Sequence, residues 1–170
     1  MTRDYNFEID SRTKEDLINT FESVKEAVRK TKGSSRAGLM LGLQEMGASL
    51  NGFIGAYYPI NSNLIVMNKT PIRRIKETNP GLLQPYSFHV LLHEYIHSLG
   101  VFDEHATAKR TYEICSQYLG EEHLATEFSK NMGKFLPNLV YPYYGWQPET
   151  EGMIELVKGF DRSSTSPYIA

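Results

Sequence analysis

Residues 14–31 place Leu17, Ile18, Phe21, Val24, Ala27 and Val28 at helical spacing, which predicts an amphipathic helix. Ser11 or Thr13 is the expected cap, with Asp16 completing a capping box after Thr13, and Gly33-Ser34-Ser35 breaks the helix. Residues 37–47 read as a short second helix weakened by Gly38, Gly42 and Gly47. From Gly52 the pattern changes to two short apolar runs, GFIGAYYP and NLIVMN, separated by Pro59 and Asn61-Ser62-Asn63, which predicts two strands joined by a turn. Thr70-Pro71 reads as a cap followed by proline at the first helical position, opening a short helix through about Glu77 that Asn79-Pro80-Gly81 ends. After Pro85 the segment YSFHVLLHEYIHSLG runs without a breaker to Gly100, a C′ glycine by position. Another helical stretch covers about 104–132 with an expected break at Gly120, and beyond Pro137 the chain is irregular and aromatic, then polar. A helix, a small sheet and two further helices give an α+β order: one domain over 1–170 with a short twisted sheet, a site helix and a long helix after it.

Length and composition agree with that reading and narrow the function. The 170 residues fit one core, and 41% hydrophobic with 22% charged residues is a globular balance. A formal net charge of −2 gives no electrostatic case for nucleic acid or a membrane surface. The start MTRDYNFEID has no apolar signal core, and Gly38–Leu43 is far too short to span a bilayer. Cys115 is the single cysteine, so no internal disulfide can form. The expectation is a soluble, cytoplasmic protein.

Candidate chemistry is concentrated in one stretch. All five histidines lie between residues 89 and 123, and the segment that matters is HEYIHSLGVFDEH, residues 93–105. On a helix, His93 and His97 leave the same face one turn apart, so two imidazole nitrogens can converge on one ion at about 2.0–2.1 Å. Glu94, rotated about 100° from His93, flanks the ion and is placed to take a proton from a metal-activated water. His89 extends the same face, but eight helical residues span about 12 Å, too far for His89 and His97 to share an ion. His89 is therefore expected in the core or behind the site.

The segment resembles the zincin metallopeptidases, and more narrowly the short metzincin-type sites reading HExxHxxGxxD, through His93, Glu94, His97, Gly100 and Asp103. The match covers 13 of the 170 residues. The resemblance implies a zinc-dependent peptidase acting on a peptide or protein substrate, with zinc held by His93, His97 and Asp103 and Glu94 as general base. In that family the glycine turns the chain so that the third ligand returns to the metal. The chain departs from the metzincin pattern in having no third histidine at 103 and no convincing Met-turn, Met132 and Met153 being candidates only as methionines. The rival third ligand is a glutamate of the following helix, as in gluzincin-like sites, with Glu104, Glu113, Glu121 and Glu122 available and His105 a further candidate. NLIVMN before the site helix and EHATAKRTYEI after it are faintly similar to the ImmA/IrrE metallopeptidase layout. The plain structural role for Asp103 is a helix N-cap.

Two other functions compete. Short rRNA-processing endoribonucleases use H-x3-H-x5-H, the spacing of His93, His97 and position 103, but they lack the glutamate after the first histidine and keep a third histidine. A catalytically inactive zincin-like module that binds peptides is the non-enzyme alternative. Elsewhere, Tyr141, Tyr143, Tyr144 and Trp146 read as packing aromatics, one of which could reach a cleft. Arg73, Arg74 and Lys76 read as the solvated face of a helix, and Cys115 as buried and inert.

Overall fold

The computed structural model describes residues 8–48, 52–134 and 152–161. The expected first helix forms as α1, Ser11–Lys32. Its N-cap is Asp10 and not Ser11 or Thr13; the Asp10 side chain accepts from Thr13 N–H at 2.7 Å. Leu17, Phe21, Val24 and Val28 are buried along one face, and Gly33, at φ +71°, lets the chain leave in the left-handed region.

The stretch 37–47 is not a helix. Met40–Gln44 forms strand β1, with Leu41 and Leu43 fully buried. Strand β3, Leu64–Asn68, pairs parallel with β1, and strand β2, Ala56–Tyr57, pairs antiparallel with β3, so the two predicted strands form as expected. A short strand β4, Glu155–Leu156, which no sequence pattern announced, pairs antiparallel with β1. The sheet order is β2-β3-β1-β4. Gly42 belongs at the centre of this sheet: a Cβ there would collide with Ile154 Cγ2.

Asn68 ends β3 and begins the next helix. Its carboxamide oxygen accepts from Thr70 N–H at 3.0 Å and Met46 N–H at 3.1 Å, while its amide donates to Gly47 O at 3.0 Å and Ile54 O at 2.9 Å. One buried side chain thus fixes the β1 exit, the approach to β2 and helix α2, Lys69–Thr78. The helix is as predicted, but its cap is Asn68 and not Thr70. Arg73 on α2 is buried and ion-paired with Glu45, which corrects the expectation of a solvated basic face; Lys76 binds Asp10 at 2.5 Å.

Helix α3, Leu83–Ser98, is the centre of the molecule. Tyr86, Phe88, Leu91, Leu92, Tyr95 and Ile96 are all buried, which places apolar side chains around most of its circumference. Such a helix must be enclosed, and α3 packs against α1, β2, β3, and helices α4, Glu104–Leu119, and α5, Leu124–Lys130. Gly120 does break the last helical stretch, and Cys115 is fully buried. The result is a mixed α+β domain in which the predicted metal motif sits on the most enclosed helix. No helix among the described residues is long and apolar enough to cross a membrane. The aromatic segment 141–146 lies outside the described residues.

Candidate metal centre

The end of α3 builds the site. Gly100 N–H donates to His97 O at 3.0 Å and Val101 N–H to Ile96 O at 3.4 Å, the paired bonds of a Schellman turn, with Gly100 at φ +102°. The turn carries Val101 back beneath the helix, where its carbonyl accepts from His97 Nδ1–H at 2.7 Å. A carbonyl can only accept, so His97 Nδ1 carries a proton and a neutral His97 presents its lone pair at Nε2. Thr107 Oγ1–H is shared between Val101 O at 3.1 Å and Asp103 O at 2.8 Å, tying the turn to the first turns of α4.

The chain then enters α4 through Asp103, whose carboxylate accepts from Ala106 N–H at 3.0 Å. Asp103, the expected third ligand, is thus engaged as the N-cap, and among the described residues no hydrogen bond or ion pair joins it to either histidine. The residue the structure brings there is the next one. Glu104 sets Oε2 at 3.0 Å from His93 Nε2 and Oε1 at 2.9 Å from His97 Nε2. The capping geometry explains the exchange. A cap side chain must fold over its own helix end, while the first helical residue projects away, here over the last turns of α3.

His93, Glu94 and His97 offer ligand atoms within 4.8 Å of one another, a group that can hold a metal ion. The imidazole centroids of His93 and His97 are 4.8 Å apart at 80°. Glu94 is buried, and its Oε2 has no hydrogen-bond partner among the described residues. Burial pushes the Glu94 carboxyl up to about 7, with the charge of Glu104 acting in the same direction against the opposing pull of His97. Burial also holds His93 below the usual histidine range, against the opposing pull of Glu104. His89 stands apart. Its Nδ1 lies 2.8 Å from Ser129 Oγ, which itself donates to Ala125 O, so Nδ1–H donates to Ser129; burial pushes His89 down to about 3, and it stays neutral.

The donor set of two imidazole nitrogens and a carboxylate suits zinc chemically. The His97 Nε2 lone pair and Glu104 Oε1, two acceptors at 2.9 Å, face each other in a way that calls for a cation or a proton between them.

An open cleft of about 380 Å³ lies over this group. Its floor is His93, Glu94, His97 and Glu104, and its walls include Tyr57 and Tyr58 of the β2–β3 hairpin together with Ile54, Ile60 and Phe102. No lysine or arginine is among the described residues that line it. Sequence reasoning identified the two histidines and Glu94, weighed Glu104 as an alternative, and missed the hairpin wall, whose signal lay only in the apolar residues flanking a turn. Compared with protein-family models, with curated proteins and with solved structures, the chain matches none.

Proposed function

We propose that this chain is a zinc-dependent peptidase whose metal is held by His93, His97 and Glu104, with Glu94 as general base. The observation that carries the reading is the convergence of both Nε2 atoms on one Glu104 carboxylate, with His97 Nδ1 already committed to Val101. A bound zinc ion would supply Lewis acidity, bringing the pKa of a bound water toward about 7 and polarising a carbonyl.

The protein's own groups account for the rest. Val101 O fixes the tautomer and orientation of His97, the usual task of a partner behind a metal-ligating histidine. Glu94 keeps an unpartnered carboxylate oxygen beside the histidines, with which it can accept a proton and then return it to a leaving amine.

Two features favour this reading over its rivals. A ribonuclease draws on lysine and arginine to hold the nucleic-acid backbone around the scissile phosphate, and neither is among the described residues that line the cleft. Glu104 already meets both histidines, so Glu94, whose Oε2 has no partner among the described residues, is left over for a proton-transfer role that a purely structural site would not need. The test is hydrolysis of an unfolded protein substrate: activity should vanish on chelation, return with zinc, and yield fragments with free amino termini. Cleavage that persists after complete zinc removal refutes the proposal.

A further inference from the structure

We infer that the cleft selects extended peptide segments carrying a large apolar side chain next to the metal site, and discriminates against acidic ones. This rests on the peptidase reading for the site's use, but not for its shape. Ile54, Ile60 and Phe102 are 60%, 63% and 50% exposed, and all three line the cleft. They come from two separate parts of the chain. Ile54 and Ile60 flank β2, whereas Phe102 lies in the turn between α3 and α4. Exposed apolar side chains gathered on one concavity mark a binding surface more than scattered ones do.

The backbone beneath Ile60 is pinned. Pro59 O accepts from Ser62 N–H at 3.1 Å and from Ser62 Oγ–H at 2.6 Å, closing a turn with Asn61 at φ +65°. Ser62 O then accepts from Tyr58 Oη–H at 2.7 Å and from Arg36 Nη2 at 2.8 Å. Arg36 Nη1 donates to Tyr58 Oη at 2.9 Å and to Ser98 O at 2.7 Å, joining the turn to the end of the metal-site helix. A fixed turn tip favours polar residues, so an isoleucine held there at a set distance from the histidines is best explained by a ligand that covers it. Ile54 is fixed in a similar way, through its carbonyl on Asn68 Nδ2.

Charge defines the excluded class. The described cleft residues include two glutamates, two histidines and two tyrosines, and no lysine or arginine. The lining therefore offers an acidic side chain no lysine or arginine to pair with, and sets two glutamates beside it. Apolar contact is then the principal source of discrimination, and contacts of this size are worth about tenfold or more in affinity.

The experiment uses the zinc-loaded Glu94→Gln protein and three fluorescent peptides of equal length with central leucine, aspartate or serine. Anisotropy should show the leucine peptide binding about tenfold more tightly than the other two. The Ile60→Ser/Phe102→Ser variant of the same protein should lose that preference while keeping its zinc and its melting temperature, both side chains being exposed. Equal binding of the three peptides, tighter binding of the aspartate peptide, no binding at all, or an intact preference in the serine variant overturns the inference. Cleavage by the wild-type protein is followed in parallel. Leucine-selective binding without cleavage sinks the peptidase reading alone, and cleavage without preference sinks the selectivity alone.

Discussion

Replacing Glu104 and Asp103 in turn separates two adjacent acidic residues that the structure gives opposite tasks. Glu104→Ala removes the carboxylate that meets both Nε2 atoms, at 3.0 and 2.9 Å. Losing one of three protein ligands should weaken zinc by more than the 10–100-fold typical of an outer-shell contact, so about 10²-fold or more is expected. The stability of the metal-free protein should barely change, because the Glu104 side chain is 76% exposed and such ion pairs contribute about 0–1 kcal/mol. Asp103→Ala removes the α4 cap, which costs about 1 kcal/mol, or about 2–4 °C in melting temperature for a chain of this size. Its zinc affinity should stay within a few-fold of wild type. Competition against a chromophoric chelator gives the affinities, and thermal melts of the metal-free variants give the stabilities. Wild-type affinity in Glu104→Ala with loss of zinc in Asp103→Ala would refute the assignment.

Removing the Thr107 hydroxyl should act through His97. Thr107→Val is expected to weaken zinc about tenfold by loosening the Val101 carbonyl, and unchanged affinity in a chelator titration would show that the turn holds itself. His89 contributes to the acid sensitivity of the metal-free protein. Its folded pKa, about 3, lies below the unfolded value of about 6.5, so the unfolded chain binds more protons between them and stability falls as pH drops through that window. Urea midpoints at pH 7.5 and 5 should therefore differ less for His89→Gln than for wild type, and equal differences would contradict a neutral buried His89. Gly100→Ala should cost about 1 kcal/mol or more, because φ +102° disfavours any side chain; a melting temperature equal to wild type would show the turn relaxing.

How much of this was legible beforehand depended on whether the determinant was local. Helices α1 and α3 and the β2–β3 pair announce themselves through periodicity and breakers, and His93, Glu94 and His97 follow from helical spacing alone. β1 does not, since its three nearby glycines look like flaws in a helix until β3 pairs beside it and Ile154 covers Gly42. β4 is too short to carry a pattern and exists by pairing with β1. Arg73 reads as a solvated cation because its partner Glu45 comes from a distant loop. The same limit separates Glu104 from Asp103. Both lie within reach of the motif along the chain, and only the start of α4 decides that one caps the helix while the other meets the histidines.

The peptidase assignment is tested most directly by Glu94→Gln. The amide is nearly isosteric but cannot accept the proton, so the variant should retain about one zinc per chain and lose peptide hydrolysis by about 10²–10⁴-fold. Turnover at the wild-type rate by a zinc-loaded Glu94→Gln protein would contradict the account.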